Sequence, residues 1–377
     1  MNNRVSGLDL LRYASLLCVM ATHFFDVLHN LGYTAERPFW VERLVELAIA
    51  YFFMSSAFLI TTLFLEEYRL KGTFSLRKFL YRRGLRLLPA YLALVLLAYF
   101  IVYQTAYFFL PDHPAEYYFH IHASLFNFLF CVPHINEFFY PSAPYLFHTT
   151  TMGIEYQFYI VAGLLFFFVR KKYLFLWLLL FMATLLFITV HNLWPGLLKN
   201  NGLGMLNSLG VYMAYTQIHL FAAGVFIAFI YSGWKEKPVD PVFRPLSLLL
   251  FTVTFFFYLF SGSTEWNTIT GSMVIFSLLL FIILNQGLLS RFPYKRATQW
   301  LGNISYGAYL FHYIVMVVVL KQLNGVLNQQ NTGNRIVALL CVFTACTLAG
   351  MLSYNFIEKM FLRIKKKYTT VPVSQKS

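Results

Sequence analysis

The chain has 377 residues, of which 59% are hydrophobic and 20% aromatic but only 12% charged, where a soluble domain carries about a quarter charged residues. That balance excludes a water-soluble fold of this size, because so much apolar surface needs lipid as its solvent. The formal net charge of +14 would fit a nucleic-acid binder only if a soluble domain bore a basic face. Here the basic residues fall between apolar runs, so a membrane surface is the expected partner and nucleic acid is not.

Apolar windows of about 20 residues lie near 8–28, 44–65, 88–109, 148–169, 173–191, 215–232, 244–261, 269–287, 301–321 and 335–358. They are too long for barrel strands, so the expected fold is all-α, a polytopic membrane protein of about ten transmembrane helices. No cleavable signal is read at the amino terminus, and the first helix is expected to serve as its own insertion signal. When loops are assigned alternately to two sides, about 23 Lys and Arg fall on the side of the amino terminus and about five on the other, which predicts that both termini are cytoplasmic. The segment Ala115 to Cys131 is nearly long enough to cross, but a crossing there would reverse every later loop. It is therefore expected to be an interfacial or re-entrant helix on the outer face. The surrounding loop, from Leu110 to Phe147, lacks Lys and Arg and is rich in Pro, Asp, Glu and His, as functional loops often are. One domain is expected over 1–367, followed by a disordered tail at 368–377. Cys18, Cys341 and Cys346 fall in predicted helices and Cys131 in a loop, so no disulfide framework is implied.

Ionisable residues inside a span are functional candidates by default. In the first helix, Arg12 and His23 are eleven residues apart, which puts them on nearly one face about 16 Å apart along the axis. Asp9 and Asp26 extend that stripe. Its alternatives are an interfacial Asp9–Arg12 pair with a merely packed His23, or a catalytic base. Glu155, in HTTTMGIEYQFY, is either an interhelical hydrogen-bond acceptor or the partner that orients His23. Tyr306, Tyr309 and His312 recur at spacings of three in LGNISYGAYLFH, as packing or as chemistry. Arg82, Arg83 and Arg86 precede a helix expected to open at Pro89. They are either a lipid anchor or a clamp for a phosphorylated ligand. The histidines His113, His120, His122 and His134 match no strong ligand spacing, and no metal is expected. No Gly-rich phosphate loop or nucleophile-elbow serine is present.

Together GLDLLRYASLLCVMATHF, FFMSSAFLI, RRGLRLLPAY, HTTTMGIEYQFY, LGNISYGAYLFH and SYNFIEKMF resemble the membrane-bound acyltransferase-3 family in order and spacing, from about Ser6 to Phe361. The resemblance implies a bacterial inner-membrane enzyme that moves an acetyl or other short acyl group from cytoplasmic acyl-CoA to a hydroxyl of a sugar, polysaccharide or glycolipid. It makes Arg12 and His23 the signature pair, Arg83 and Arg86 the paired arginines of the third helix, and Glu155 the acidic residue of the fourth. Ala57, Thr150 with Thr151, and Met360 depart from the family pattern. No hydrolase-like segment follows the helices, so the membrane domain is expected to act alone or with a partner.

The expected mechanism has Arg82, Arg83 and Arg86, with Arg12, hold the nucleotide phosphates of acetyl-CoA. His23 takes the hydroxyl proton or accepts the acyl group, oriented by Glu155 or Asp26. Tyr159, Tyr306 and Tyr309 are candidate donors to the tetrahedral oxyanion. The competing readings are a transporter or flippase for a lipid-linked sugar and a multi-spanning glycan ligase.

Overall fold

The computed structural model describes residues 7–111, 124–133, 143–168, 217–236, 240–261, 264–286, 295–328 and 331–366, and no strand occurs among them. Long helices run over Leu8–Asn30 (α1), Phe39–Lys71 (α2), Leu76–Phe100 (α3), Thr150–Phe168 (α4), Ile218–Glu236 (α5), Phe243–Phe260 (α6), Thr264–Leu284 (α7), Lys295–Gln322 (α8) and Thr332–Ser353 (α9). The last continues through a π turn at Tyr354–Glu358 into Lys359–Lys366 (α10). The apolar window at 173–191 and the tail lie outside the described residues, and every other window falls on a helix. Among the described residues six helices are long and apolar enough to cross a bilayer, so the chain is an integral membrane protein. On α6, Leu249, Val253, Phe256, Phe257 and Phe260 are exposed, as lipid-facing side chains should be.

The third helix corrects the sequence reading. It does not open at Pro89 but begins at Leu76, capped by Ser75, whose hydroxyl accepts from the Lys78 amide at 3.4 Å. Pro89 lies inside it. A proline usually marks a first turn because it has no N–H to give. Here the helix continues through it, and Arg82, Arg83 and Arg86 become interior helical positions rather than a basic connection. At the other end of the preceding helix, Gly72 takes a left-handed conformation (φ 66°) that ends α2, its amide returning to the Tyr68 carbonyl.

Of the segment Ala115 to Cys131, the described part contains a short helix, Leu125–Leu129. It docks on α3 through the Tyr91 hydroxyl, which donates to the Phe128 carbonyl at 2.8 Å, and through Tyr99 and Ser124, whose hydroxyls lie 2.7 Å apart.

Two apolar cores organise the helices. One gathers α1, α3, α4, α8 and α9 with Ile60 and Phe64 of α2; the other joins α2, α5 and α7 with Leu8 of α1 and Ile154 of α4. Because lipid tails are as apolar as the side chains, close approach of small residues has to supply the contacts. A Cβ on Gly350 of α9 would lie 2.7 Å from both the Ala308 Cβ and the Ile304 carbonyl of α8. A Cβ on Gly302 would lie 2.7 Å from Asp9, so α1 and α8 touch where the first helix carries its first carboxylate.

Candidate active site

The α1 stripe places its candidate residues toward the two ends of the helix. Near the carboxy-terminal end of α1, His23 Nδ1 lies 3.1 Å from a carboxylate oxygen of Asp26. The spacing of three places both on one face of the helix. The other Asp26 oxygen takes the guanidinium of Arg37, from the α1–α2 connection, and Arg37 also reaches Glu42 at 3.8 Å. An ionised carboxylate can only accept, so Nδ1 of His23 is the donor and Nε2 keeps its lone pair.

Two further histidines stand beside it. The His312 ring of α8 stacks on His23 at 5.2 Å between centroids, and His148, just before α4, meets His312 edge-on at 4.6 Å. Each is tied by one nitrogen to a backbone carbonyl: His148 Nε2 to Leu310 at 3.0 Å, and His312 Nδ1 to Tyr309. Their other nitrogens, Nδ1 of His148 and Nε2 of His312, are buried without a hydrogen-bond partner among the described residues. Phe147 and Tyr313 close around His23 at 5.1 and 6.0 Å. A cavity of about 530 Å³ opens next to this cluster, lined by Asp26, His29, Asn30, Arg37 and Glu42 on its polar side and by Phe25, Phe147 and Tyr313 on its aromatic side.

The second end lies toward the amino terminus of α1. Arg12 pairs loosely with Asp9 at 3.9 Å. Arg86 interacts electrostatically with Arg12, Glu155, Tyr159 and Glu358, and Arg83 with Tyr159 and Glu155. The Arg83 guanidinium lies over the Phe79 and Tyr159 rings at 5.7 and 5.6 Å. Among the described residues neither Arg83 nor Arg86 makes a close ion pair, and both keep accessible surface while enclosed by the fold. Two guanidinium forks open to a crevice are suited to a polyanion such as a phosphate group.

The structure separates other residues that the sequence reading had joined. Arg82 forms a 2.8 Å ion pair with the buried Glu67 of α2, a structural link between α2 and α3. Glu155 does not reach His23. It accepts from Ser56 of α2 at 2.6 Å and from the Tyr159 hydroxyl one turn along its own helix, on the arginine side. The hydroxyls of the three tyrosines expected at an oxyanion are committed inside the protein: Tyr159 to Glu155, Tyr306 to the Leu87 carbonyl at 2.7 Å, and Tyr309 to the His148 carbonyl at 2.7 Å. His148 and Ser56 were missed, although His148 opens the quoted HTTTMGIEYQFY motif and Ser56 lies in FFMSSAFLI. The histidines His113, His120, His122 and His134 lie outside the described residues, and among the described residues no cluster fit for a metal is found.

An all-helical integral membrane protein with a carboxylate-oriented histidine at one end of its interior and open arginines at the other belongs with membrane-embedded group-transfer enzymes. The chain belongs to the acyltransferase-3 family, whose acyltransferase-domain model matches residues 5–354. A relative from Staphylococcus aureus (strain COL), named "Putative O-acetyltransferase", is 26% identical over 336 residues, covering 84% of this chain and 51% of the relative. A second relative, from Listeria monocytogenes serovar 1/2a, is named "Peptidoglycan O-acetyltransferase OatA". It is 25% identical over 381 residues, 94% of this chain and 55% of the relative. The chain thus spans about half the length of the curated relatives it matches. No solved structure gives a significant match.

Proposed function

We propose that the protein is an O-acyltransferase that carries an acetyl or other short acyl group from cytoplasmic acyl-CoA to a hydroxyl of a glycan or glycolipid on the far side of a bacterial inner membrane. The observation that carries this reading is the α1 stripe: His23, with Nδ1 held by Asp26, and, eleven residues before it, Arg12, which interacts electrostatically with Arg86, a residue without a close ion pair among the described residues. That separation, about 16 Å along a helix, is comparable to a pantetheine arm. The phosphates would sit on Arg83 and Arg86, with Arg12, and the thioester would be presented near His23.

In the transfer step His23 Nε2 takes the proton of the acceptor hydroxyl as its oxygen bonds to the thioester carbonyl carbon. The carbon–sulfur bond then breaks, and the departing thiolate takes that proton back from His23. The cavity beside Asp26 and Phe147 is our acceptor site, because its aromatic wall suits the apolar face of a pyranose ring and its polar wall the hydroxyls. The name of the Listeria relative favours a peptidoglycan-type sugar as acceptor. About ten spans with both termini cytoplasmic complete the arrangement, and they rest on the Lys and Arg distribution.

The test is transfer from radiolabelled acetyl-CoA to a peptidoglycan or other glycan extract by the purified protein. Parent activity with none in His23→Ala supports the assignment; equal transfer in both would remove His23 as the base. Unchanged CoA binding in Arg83→Ala with Arg86→Ala would remove the phosphate site.

A further inference from the structure

The π turn Tyr354–Glu358 interrupts the long helix formed by α9 and α10. Single π turns within helices are rare and frequent at functional sites, because the extra residue rotates a side chain off its regular face. Here the rotated residue is Glu358. Its neighbours Asn355, Phe356, Lys359 and Met360 are exposed, whereas Glu358 is 4% exposed. Its carboxylate accepts from the Ser353 hydroxyl at 3.0 Å.

The seat for this carboxylate is made on α8. A Cβ on Gly307 would lie 2.8 Å from Glu358 Oε1 and 2.6 Å from Ser353 Oγ, so only glycine leaves room there. Across the seat, α3, which carries Arg86, packs directly on the π turn, and the charges of Arg86 and Glu358 act on each other there. The two do not form a close ion pair; the only hydrogen bond drawn to the carboxylate among the described residues comes from Ser353.

A buried guanidinium needs a compensating charge. A carboxylate in direct contact would also occupy the donors of the fork. Set back on the Ser353 hydroxyl, Glu358 compensates the charge and leaves the fork open to another anion. We propose that Glu358 is the resident counter-ion of Arg86 and limits how tightly the arginine crevice holds an anionic donor, so that the spent carrier is released. This rests on the reading of the crevice as the acyl-CoA site.

The sign of the effect separates this role from a structural one. Arginine stays charged in proteins, so removing the opposing carboxylate makes the crevice more positive, and an anion must bind more tightly. Damage to the helix seam would do the opposite.

The experiment measures coenzyme A binding to the full chain in lipid nanodiscs, for the parent, Glu358→Gln, Glu358→Asp, Arg86→Ala and the Arg86→Ala/Glu358→Gln double variant. Glu358→Gln is expected to bind coenzyme A about three- to tenfold more tightly, the size expected of one partly screened charge. Glu358→Asp should bind like the parent, and the tightening should be absent in the Arg86→Ala background. If Glu358→Gln does not fold, Glu358→Met removes the same charge and should give the same tightening. Equal or weaker binding in the folded variant, or tightening that persists without Arg86, overturns the counter-ion role and leaves the donor reading intact. A parent that binds no coenzyme A overturns both.

Discussion

Asp26 holds His23 from one turn along the same helix, its carboxylate oxygen 3.1 Å from Nδ1, while its second oxygen is held by Arg37. The imidazole is thereby held in orientation, and with Nδ1 as the donor to Asp26, Nε2 is the nitrogen available for the proposed role of base. Positioned general bases contribute about 10²- to 10⁴-fold to a rate, so His23→Ala should lower acetyl transfer by that order. Asp26→Asn removes the charge but keeps the shape, and should lower kcat about 10- to 10³-fold by loosening the tautomer. The KM for acetyl-CoA should hardly change, since Asp26 is at the opposite end from the arginines. A rise in donor KM with unchanged kcat would contradict this division of labour.

The neighbouring Arg82 and Arg83 are predicted to behave differently. Arg82 is paired with Glu67 at 2.8 Å, and Glu67 is 4% exposed on its side chain. Removing one partner of a buried pair costs about 3–5 kcal/mol because the other charge is left uncompensated. Arg82→Ala should therefore melt well below the parent in detergent, whereas Arg83→Ala, which leaves no counter-ion stranded in this way, should melt near it and lose coenzyme A affinity. Equal melting temperatures for the two would show that the Arg82–Glu67 contact does not hold α3 to α2.

Tyr309 provides a test of the oxyanion expectation. Its hydroxyl donates to the His148 carbonyl at 2.7 Å and lies 2.6 Å from the Thr151 hydroxyl, which ties α8 to the start of α4. Tyr309→Phe removes one net hydrogen bond, about 1 kcal/mol of stability, and should retain most of the acetyl transfer. A loss of kcat of about 10²-fold or more without a change in melting, the size expected of a missing oxyanion donor, would return Tyr309 to the catalytic machinery.

The helices and the stripe from Asp9 to Asp26 were legible in the sequence because the bilayer sets a length and helical periodicity sets a face. What was not legible depends on which helices meet. Pro89 is a start signal by local rules, yet α3 runs through it because Ser75 caps an earlier turn and the fold packs both sides of the proline. Glu155 reads from the sequence as a partner for His23, but Ser56 of α2 and Tyr159 take it on the arginine side, a pairing that spacing cannot reveal. Arg82 is set apart from Arg83 and Arg86 by its pairing with Glu67, 15 residues earlier. His148 lies in a motif already singled out, and only the fold shows that its ring meets His312 beside His23.

The structure places Ala57 of α2 against Gly224 of α5. A Cβ on Gly224 would lie 2.2 Å from the Met54 carbonyl oxygen, 2.7 Å from the Ala57 Cβ and 3.0 Å from the Phe58 amide nitrogen. Two of those neighbours are backbone and cannot turn aside, so a methyl group there must push α2 and α5 apart. Overpacking of this kind costs about 1–3 kcal/mol. In lipid the separated faces gain no compensating burial, because the acyl chains pack no better than the helix did. Gly224→Ala should therefore lower the melting temperature in detergent, and the loss should reach the site, because Ser56, which holds Glu155 at 2.6 Å, sits on the displaced stretch of α2. Adding Ala57→Gly should restore only part of the stability, since it relieves the Cβ contact but not the one with the Met54 carbonyl. Parent-like melting of Gly224→Ala would mean that α2 and α5 are not in this contact, and full recovery in the double variant would mean that the Met54 carbonyl is not the limiting neighbour.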